Sequence, residues 1–153
     1  MIILGLDPGL ATTGYAIVSK NRRALEALEW GTINTQAHTP LPRRLTTIAN
    51  DLQVVLKRFR PELGVVESVF FAANRKTALE VAQARGVILL VLCSKNIKIV
   101  ELTPLQLKQR MTSYGKASKQ QMQAMVQKVY KLKQVPRPDD AADALALAAS
   151  AAA

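Results

Sequence analysis

The sequence MIILGLDPGLATTG, at residues 1–14, carries the clearest indication of the fold. Its run of apolar or small residues, Ile2–Leu6, predicts a buried strand. Asp7 follows that run, and a Pro-Gly pair that breaks the strand comes directly after it. An ionised carboxylate at the edge of a core is costly unless it is hydrogen-bonded, paired or bound to a metal. We therefore expect Asp7 to belong to a functional site and to have partners elsewhere in the chain.

Apolar periodicity predicts the order three strands, helix, strand, helix, strand and then further helices. The strands are predicted at Ile2–Leu6, Thr13–Ser19, Ala24–Thr35, Leu63–Val69 and Ile97–Leu102. The helices are predicted at Pro42–Arg60, Ala78–Leu92, Pro104 to near Ser113, Lys119–Lys131 and Asp139–Ala149. Two consecutive hairpins place the first three strands in an antiparallel meander. The pattern predicts an α/β protein with a five-stranded mixed sheet flanked by helices.

The composition, with 49% hydrophobic and 21% charged residues, is that of a globular protein. The chain has 153 residues and shows no repeat or linker, so we expect one domain over residues 1–153. A single cysteine, Cys93, excludes an internal disulfide and a Cys-based zinc site, and we expect it to be a buried small hydrophobe. The longest apolar run, Gly86–Cys93, is too short to span a bilayer. We therefore expect a cytoplasmic protein with no membrane partner.

Charge is the most informative bulk property. The chain has 21 Lys and Arg against 11 Asp and Glu, for a formal net charge of +10. Such an excess is typical of proteins that bind a polyanion, nucleic acid first and membrane surface second. The alternative is a basic protein whose charge serves only its solubility.

Acidic residues stand at two further positions where they are not expected. Glu67 interrupts the apolar run of the fourth predicted strand, and it faces Asp7 if the two strands are neighbours. The last predicted helix carries Asp139, Asp140 and Asp143. Asp143 is three residues from Asp140 and four from Asp139, so spacing alone leaves both as candidates for its helical face. The alternative is that one of these aspartates caps the helix while Asp143 is solvated.

Four acids in one pocket indicate a metal site. If the pocket is formed by Asp7, Glu67, Asp140 and Asp143, seven acidic residues remain against 21 basic ones. Carboxylate oxygens are the ligands that Mg²⁺ and Mn²⁺ prefer. Two such ions about 4 Å apart can hold a phosphodiester, activate a water and stabilise the leaving oxygen. A basic exterior around such a pocket indicates a nuclease.

The predicted helix Ala78–Leu92 is apolar around almost its whole circumference in its second half. One side of such a helix can pack on its own sheet, and the other side suits a subunit partner. Thr77 is a candidate N-cap, with Glu80 completing a capping box. In the loop before this helix, the ring of Phe70 either packs in the core or stacks on a base. The Ala-rich segment after Leu147 has little to pack against, and we expect it to fray.

Three segments together resemble the RuvC family of bacterial Holliday junction resolvases. They are LGLDPGLATTGYA, VVESVFFAANRKTALEVAQARGV and DDAADALALA, in that order and with the family's spacing over essentially the whole chain. The resemblance implies a ribonuclease H-like fold and a structure-selective endonuclease that resolves four-way DNA junctions in recombination and repair. It implies hydrolysis with Mg²⁺ or Mn²⁺, two ions to each active site, and a homodimer whose two sites cut opposed strands. It also implies a partner in a branch-migration motor complex of the RuvA–RuvB type.

The resemblance assigns roles to individual residues. The positions that match the family's catalytic and metal-binding acids are Asp7, Glu67, Asp140 and Asp143, which decides against Asp139. Phe70 matches an aromatic that stacks on bases at the junction centre, and Lys108 and Lys119 match basic positions near the scissile phosphate. The dimer interface falls on the helix at residues 78–92. We also expect DNA contacts from Arg75, Lys76 and Lys116, for which the alternative is an ordinary solvated cation.

The chain departs from the family pattern at two places. Ala82 stands where the family usually has Gly, and Ser113-Tyr114-Gly115 stands where many members have Gly-x-Gly. Three other functions compete with the junction nuclease. The first is a ribonuclease H-like relative that acts on RNA or on other branched nucleic acid. The second is an actin-like kinase or ATPase that uses the Asp-Pro-Gly turn for phosphate, and the third is a junction-binding protein without catalysis.

Overall fold

The computed structural model describes residues 1–22, 24–68 and 75–151, and for residues 75 and 76 it describes the backbone only. In these residues five strands form one sheet in the order β3-β2-β1-β4-β5. The strands are β1 (Ile2–Asp7), β2 (Thr12–Lys20), β3 (Leu25–Asn34), β4 (Leu63–Glu67) and β5 (Lys98–Leu102). The fourth strand was predicted to reach Val69, which lies outside the described residues.

The first strand, β1, lies at the centre of the sheet. It pairs antiparallel with β2, and β2 pairs antiparallel with β3, which confirms the predicted meander. On its other side β1 pairs parallel with β4, and β4 pairs parallel with β5. The prediction of a five-stranded mixed sheet is therefore confirmed. Because β1 and β4 are parallel neighbours, their carboxyl ends lie at the same edge of the sheet.

Helices follow the predicted order closely. They are α1 (Leu41–Phe59), α2 (Arg75–Ser94), α3 (Pro104–Thr112), α4 (Lys119–Val129) and α5 (Asp139–Ser150). The Thr103 hydroxyl caps α3, because it accepts a hydrogen bond from the backbone N–H of Gln106. The prediction that Thr77 caps α2 is wrong. This helix already begins at Arg75, so Thr77 lies inside its first turn.

The two faces of the sheet carry separate apolar cores, because alternate side chains of a strand point to opposite faces. On one face α1 and α2 cover the sheet, and the largest buried side chains there are Leu4, Leu6, Ile17, Ile48, Leu52, Ile88 and Leu92. On the other face α3, α4 and α5 cover it, with Ile3, Val18, Leu102, Leu145 and Leu147 fully buried. Each face of the sheet therefore packs against its own group of helices.

Helix α5 lies directly on β1 and β2 because glycine stands at both points of contact. A Cβ added to Gly5 would lie 2.0 Å from the carbonyl oxygen of Ala144. One added to Gly14 would lie 2.0 Å from the carbonyl oxygen of Asp140, so no larger side chain fits at either position. The expectation that the chain frays after Leu147 is wrong for residues 148–150, which are buried because their small side chains let the helix approach the sheet.

Helix α2 exposes part of its apolar surface. Ile88, Val91 and Leu92 are buried against α1 and the sheet, and the Arg85 guanidinium forms an ion pair with Glu101 of β5. Cys93 lies on another side of the helix and is exposed, so the prediction that it is buried is wrong. Within the described ranges, the part of this helix from residue 77 to residue 94 is the one segment long and apolar enough to cross a membrane by length and composition alone. Its contacts with α1 and β5 make it an element of the fold.

Candidate active site

The acids predicted from the sequence meet at one edge of the sheet. We call them the acid quartet: Asp7, Glu67, Asp140 and Asp143. Asp7 is the last residue of β1 and Glu67 the last residue of β4, and the register that pairs Leu6 with Val66 makes these two carboxylates neighbours. The sequence-based expectation that they face each other is confirmed.

The other two acids reach this edge through the close contact of α5 with β2. Asp7 pairs in the sheet with Gly14, and the backbone carbonyl of Asp140 lies directly over that glycine. Asp140 and Asp143 stand one turn apart at the start of the helix, on the side of β1. The missing side chain at Gly14 therefore sets the distance between α5 and the carboxyl end of β1.

Burial and charge together change the acidity of Asp7. Burial first, and then the charges of Glu67, Asp143 and Asp140, raise the pKa of Asp7 from 3.8 to about 8. A hydrogen bond between the Asp7 and Glu67 side chains adds to this effect, with the Asp7 carboxyl as donor. Near neutral pH this carboxyl therefore holds a proton unless a cation compensates the charge around it.

The pKa values of two further members of the acid quartet are also raised. Burial, followed by the charge of Asp143, raises the pKa of Glu67, and the nearby Lys108 ammonium partly opposes this rise. Burial also raises the pKa of Asp143, against the lowering influence of Lys119. The quartet is thus a half-buried group of carboxyls with one lysine acting on it from α3 and another from α4.

Asp139, the residue next to the quartet, has a different environment. It is solvated, and its carboxylate receives hydrogen bonds from Lys119, Arg137 and Gln123. These bonds, the one from Lys119 first, lower the pKa of Asp139. The two candidates that spacing left open are thus distinguished by their surroundings, because Asp139 is occupied by cations while Asp140 lies over the sheet.

Of the remaining predicted site residues, only Lys116 has a described side chain. Lys116 is exposed in the turn between α3 and α4. Arg75 and Lys76 lie in the first turn of α2, and their side chains are outside the description. Phe70 lies outside the described residues altogether, so its stacking role stays a prediction.

The donor set of the quartet suits a hard divalent cation, because it offers carboxylate oxygens, and burial together with their mutual repulsion raises the pKa of Asp7. In residues 1–22, 24–68 and 75–151, no three His, Cys, Asp or Glu side chains stand in an arrangement that could hold an ion as they are. Asp7 and Glu67 instead face each other across a hydrogen bond. The chemistry of the donors therefore fits the predicted metal, while their side-chain positions are those of a protonated pair.

Sequence reasoning missed the cluster around Asp139 and the two glycines that position α5. Gly5 and Gly14 interrupt strands, a signal that often marks close approach of another backbone. Two partners of Asp139, Lys119 and Gln123, stand one turn apart on α4, and the third, Arg137, lies two residues before it, but no motif in the sequence connects α4 with the start of α5.

Comparison with known protein families gives one consistent result. Residues 3–151 match the family model described as crossover junction endodeoxyribonuclease RuvC. A curated relative of that name from Syntrophomonas wolfei is 48% identical over 148 residues, which cover 97% of this chain and 86% of the relative. One from Natranaerobius thermophilus is 46% identical over 147 residues, covering 96% and 91%.

Solved structures agree with the sequence comparison. The structure of Thermus thermophilus RuvC superimposes with a TM-score of 0.90 at 32% identity, covering 98% of this chain and 92% of that one. The same protein in complex with a Holliday junction substrate gives a TM-score of 0.91 with the same coverage. The yeast mitochondrial Holliday junction resolvase Ydc2 shares the fold alone, with a TM-score of 0.70 at 17% identity, over 97% of this chain and 76% of that one. The predicted ribonuclease H-like fold is thereby confirmed.

Proposed function

This chain belongs to the crossover junction endodeoxyribonuclease RuvC family, and on that premise we propose that the acid quartet is its active site. Family membership makes the protein a metal-dependent nuclease that resolves Holliday junctions in DNA recombination and repair. Action on RNA or on other branched nucleic acid is not favoured, because the relatives carry the name of a junction endodeoxyribonuclease. The observation that supports the placement is the half-buried Asp7, whose pKa is raised to about 8 by burial and by the other three acids.

The metal is Mg²⁺ or Mn²⁺ in this proposal, with two ions in each site. Two such ions, when bound, activate a water and stabilise the leaving oxygen of a phosphodiester. The residues of the chain supply the oxygen ligands: Asp7 and Glu67 from neighbouring strands, and Asp140 and Asp143 from the start of α5. Asp7 gives up its proton, and its hydrogen bond to Glu67, when it becomes a ligand.

Basic residues near the quartet hold the substrate. Lys108 acts on the charge of Glu67, and Lys119 acts on those of Asp140 and Asp143, so their ammonium groups are close enough to the quartet to contact the reacting phosphate. Further DNA contacts in this proposal come from Arg75, Lys76 and Lys116, and Phe70 stacks on a base at the junction centre. Neutralised DNA phosphates release counterions, so we expect junction affinity to fall steeply as salt rises.

A second copy of the chain completes the enzyme by pairing through α2. One side of this helix forms the α2 stripe, which alternates spacings of four and three residues: Leu79, Gln83, Gly86, Leu90 and Cys93. The two leucines are 64% and 69% exposed, and a Cβ added to Gly86 would meet nothing within 4 Å. This spacing is typical of a helix that packs along a second helix. A symmetric dimer through the stripe would cover the leucines and provide two active sites for two strands.

The partners and location follow from the substrate. Resolution requires that a junction be delivered in a position where it can be cut, so we include a branch-migration motor complex of the RuvA–RuvB type as a partner. Because the substrate is cellular DNA, we place the protein in the cytoplasm.

The test is cleavage of a synthetic four-way junction, with and without Mg²⁺, beside linear duplex. Wild-type protein is expected to cut the junction only with Mg²⁺ and to spare the duplex. Asp7→Asn keeps the size of the side chain but removes a charged ligand, so we expect a loss of at least 100-fold in cleavage with junction binding retained. Unimpaired cutting by this variant would remove Asp7 from the active site.

A further inference from the structure

A single carboxylate joins the start of α4 to the start of α5. Asp139, the first residue of α5, has its Oδ2 atom 2.9 Å from the Nζ atom of Lys119. Its Oδ1 atom accepts a hydrogen bond of 2.8 Å from Arg137 and one of 3.2 Å from Gln123. Lys119 is the first residue of α4, and Gln123 stands one turn further along the same helix. Both oxygens of Asp139 are therefore engaged, and the residue ties together two helix ends.

This contact determines where the Lys119 ammonium is held. A lysine side chain is long and flexible, so a solvated ammonium samples many positions. One hydrogen bond to Asp139 restricts that range and leaves two of the three N–H donors free. The same ammonium lies near enough to Asp140 and Asp143 for their charges to act on it. Because Asp139 directly precedes Asp140 at the start of α5, an ammonium 2.9 Å from Asp139 lies beside the acid quartet.

We propose that Asp139 is a positioning residue, which holds the Lys119 ammonium at the rim of the acid quartet ready for the scissile phosphate. The inference rests on the proposed function of the quartet and adds a residue that is neither a metal ligand nor a DNA contact. The oxygens of Asp139 accept hydrogen bonds from three donors, and of these Lys119 is the one whose ammonium is also acted on by the charges of Asp140 and Asp143.

The net charge of Lys119, Arg137 and Asp139 distinguishes a positioning role of Asp139 from a general effect on DNA attraction. Lys119, Arg137 and Asp139 together carry a net charge of +1, and Asp139→Asn raises it to +2. The substitution therefore favours binding of a polyanion. It also removes the charged partner of Lys119, which disfavours the positioned state of the ammonium. Binding and cleavage should consequently change in opposite directions.

The experiment measures single-turnover cleavage of a four-way junction with saturating protein and Mg²⁺, and junction affinity without added metal. For Asp139→Asn we expect the cleavage rate to fall about tenfold while the junction Kd stays the same or decreases. A rate within twofold of wild type, or a faster rate, would overturn the proposal. Weakening of both rate and affinity would also overturn it, since that is the result of a damaged helix end.

A matched variant tests whether the effect belongs to this position. Asp51→Asn removes the same charge from an exposed position on α1, and we expect it to leave the rate unchanged. A slower rate in this control would contradict the assignment of the effect to the pair of Lys119 with Asp139.

The double variant decides whether Asp139 acts through Lys119. If it does, Lys119→Ala combined with Asp139→Asn is no slower than Lys119→Ala alone. Additive losses would overturn the proposal. Wild-type protein that leaves the junction intact would refute the proposed function itself, whereas equal cleavage by wild type and Asp139→Asn would overturn the role of Asp139 only.

Discussion

At the scale of single residues, the protonation of Asp7 links the stability of the fold to its function. Its pKa is raised from 3.8 to about 8 in the folded protein, so between these values the folded state holds a proton that the unfolded state releases. Stability of the metal-free protein therefore falls as pH rises from about 4 to about 8. Asp7→Asn removes this cost, and we expect it to stabilise the metal-free protein by roughly 2–5 kcal/mol at pH 8 and hardly at all at pH 4. Thermal unfolding in EDTA at the two pH values measures the difference.

The same variant provides a control with metal. Mg²⁺ binds the folded wild type and should raise its Tm at pH 8, but it should raise that of Asp7→Asn much less. If the stability of the metal-free wild type and that of Asp7→Asn depended equally on pH, the raised pKa of Asp7 would be contradicted.

At the scale of elements, the position of α5 depends on the glycines beneath it. Gly14→Ala would place a methyl group 2.0 Å from the Asp140 carbonyl oxygen, and so would push the helix off β2. We expect a loss of more than about 2 kcal/mol in stability and a strong loss of junction cleavage. Gly31→Ala on β3 is the matched control, because its methyl group would meet the side chain of Tyr15 at 3.2 Å, a contact that a shift of a few tenths of an ångström relieves. Denaturant unfolding measures the stability of both variants. Equal stabilities would contradict the claim that Gly14 sets the position of α5.

The sheet and most helices could be predicted because each has its own apolar period. Asp7 and Glu67 were identified for the same reason, since each breaks such a run. Burial of the Ala-rich end of α5 could not be predicted, because it depends on glycines more than 120 residues earlier in the chain. The start of α2 was misplaced because the capping signal at Thr77 is local, whereas the observed helix begins two residues before it. Choosing Asp140 over Asp139 required either the family pattern or the three donors around Asp139.

At the scale of the whole molecule, the α2 stripe predicts the oligomeric state. Leu90→Glu places a charge in the centre of the proposed interface, so we expect the dimer to become a monomer in sedimentation velocity. Leu28→Glu is the matched control, since that leucine is 43% exposed on β3, away from the stripe, and its substitution should leave the dimer unchanged. A Leu90→Glu protein that stays dimeric would place the interface elsewhere. If the Leu90→Glu protein nicked single strands of the junction but no longer made paired cuts, the dimer would be required for resolution.

The central claim is that the acid quartet holds the catalytic metal, and the most direct measurement is the anomalous diffraction of Mn²⁺ in crystals of the protein. We predict a peak at about 2 Å from carboxylate oxygens of Asp7 and of at least one other member of the quartet, with no such peak in Asp7→Asn. Mn²⁺ that binds only outside the quartet, or that binds the variant as well as the wild type, would contradict it.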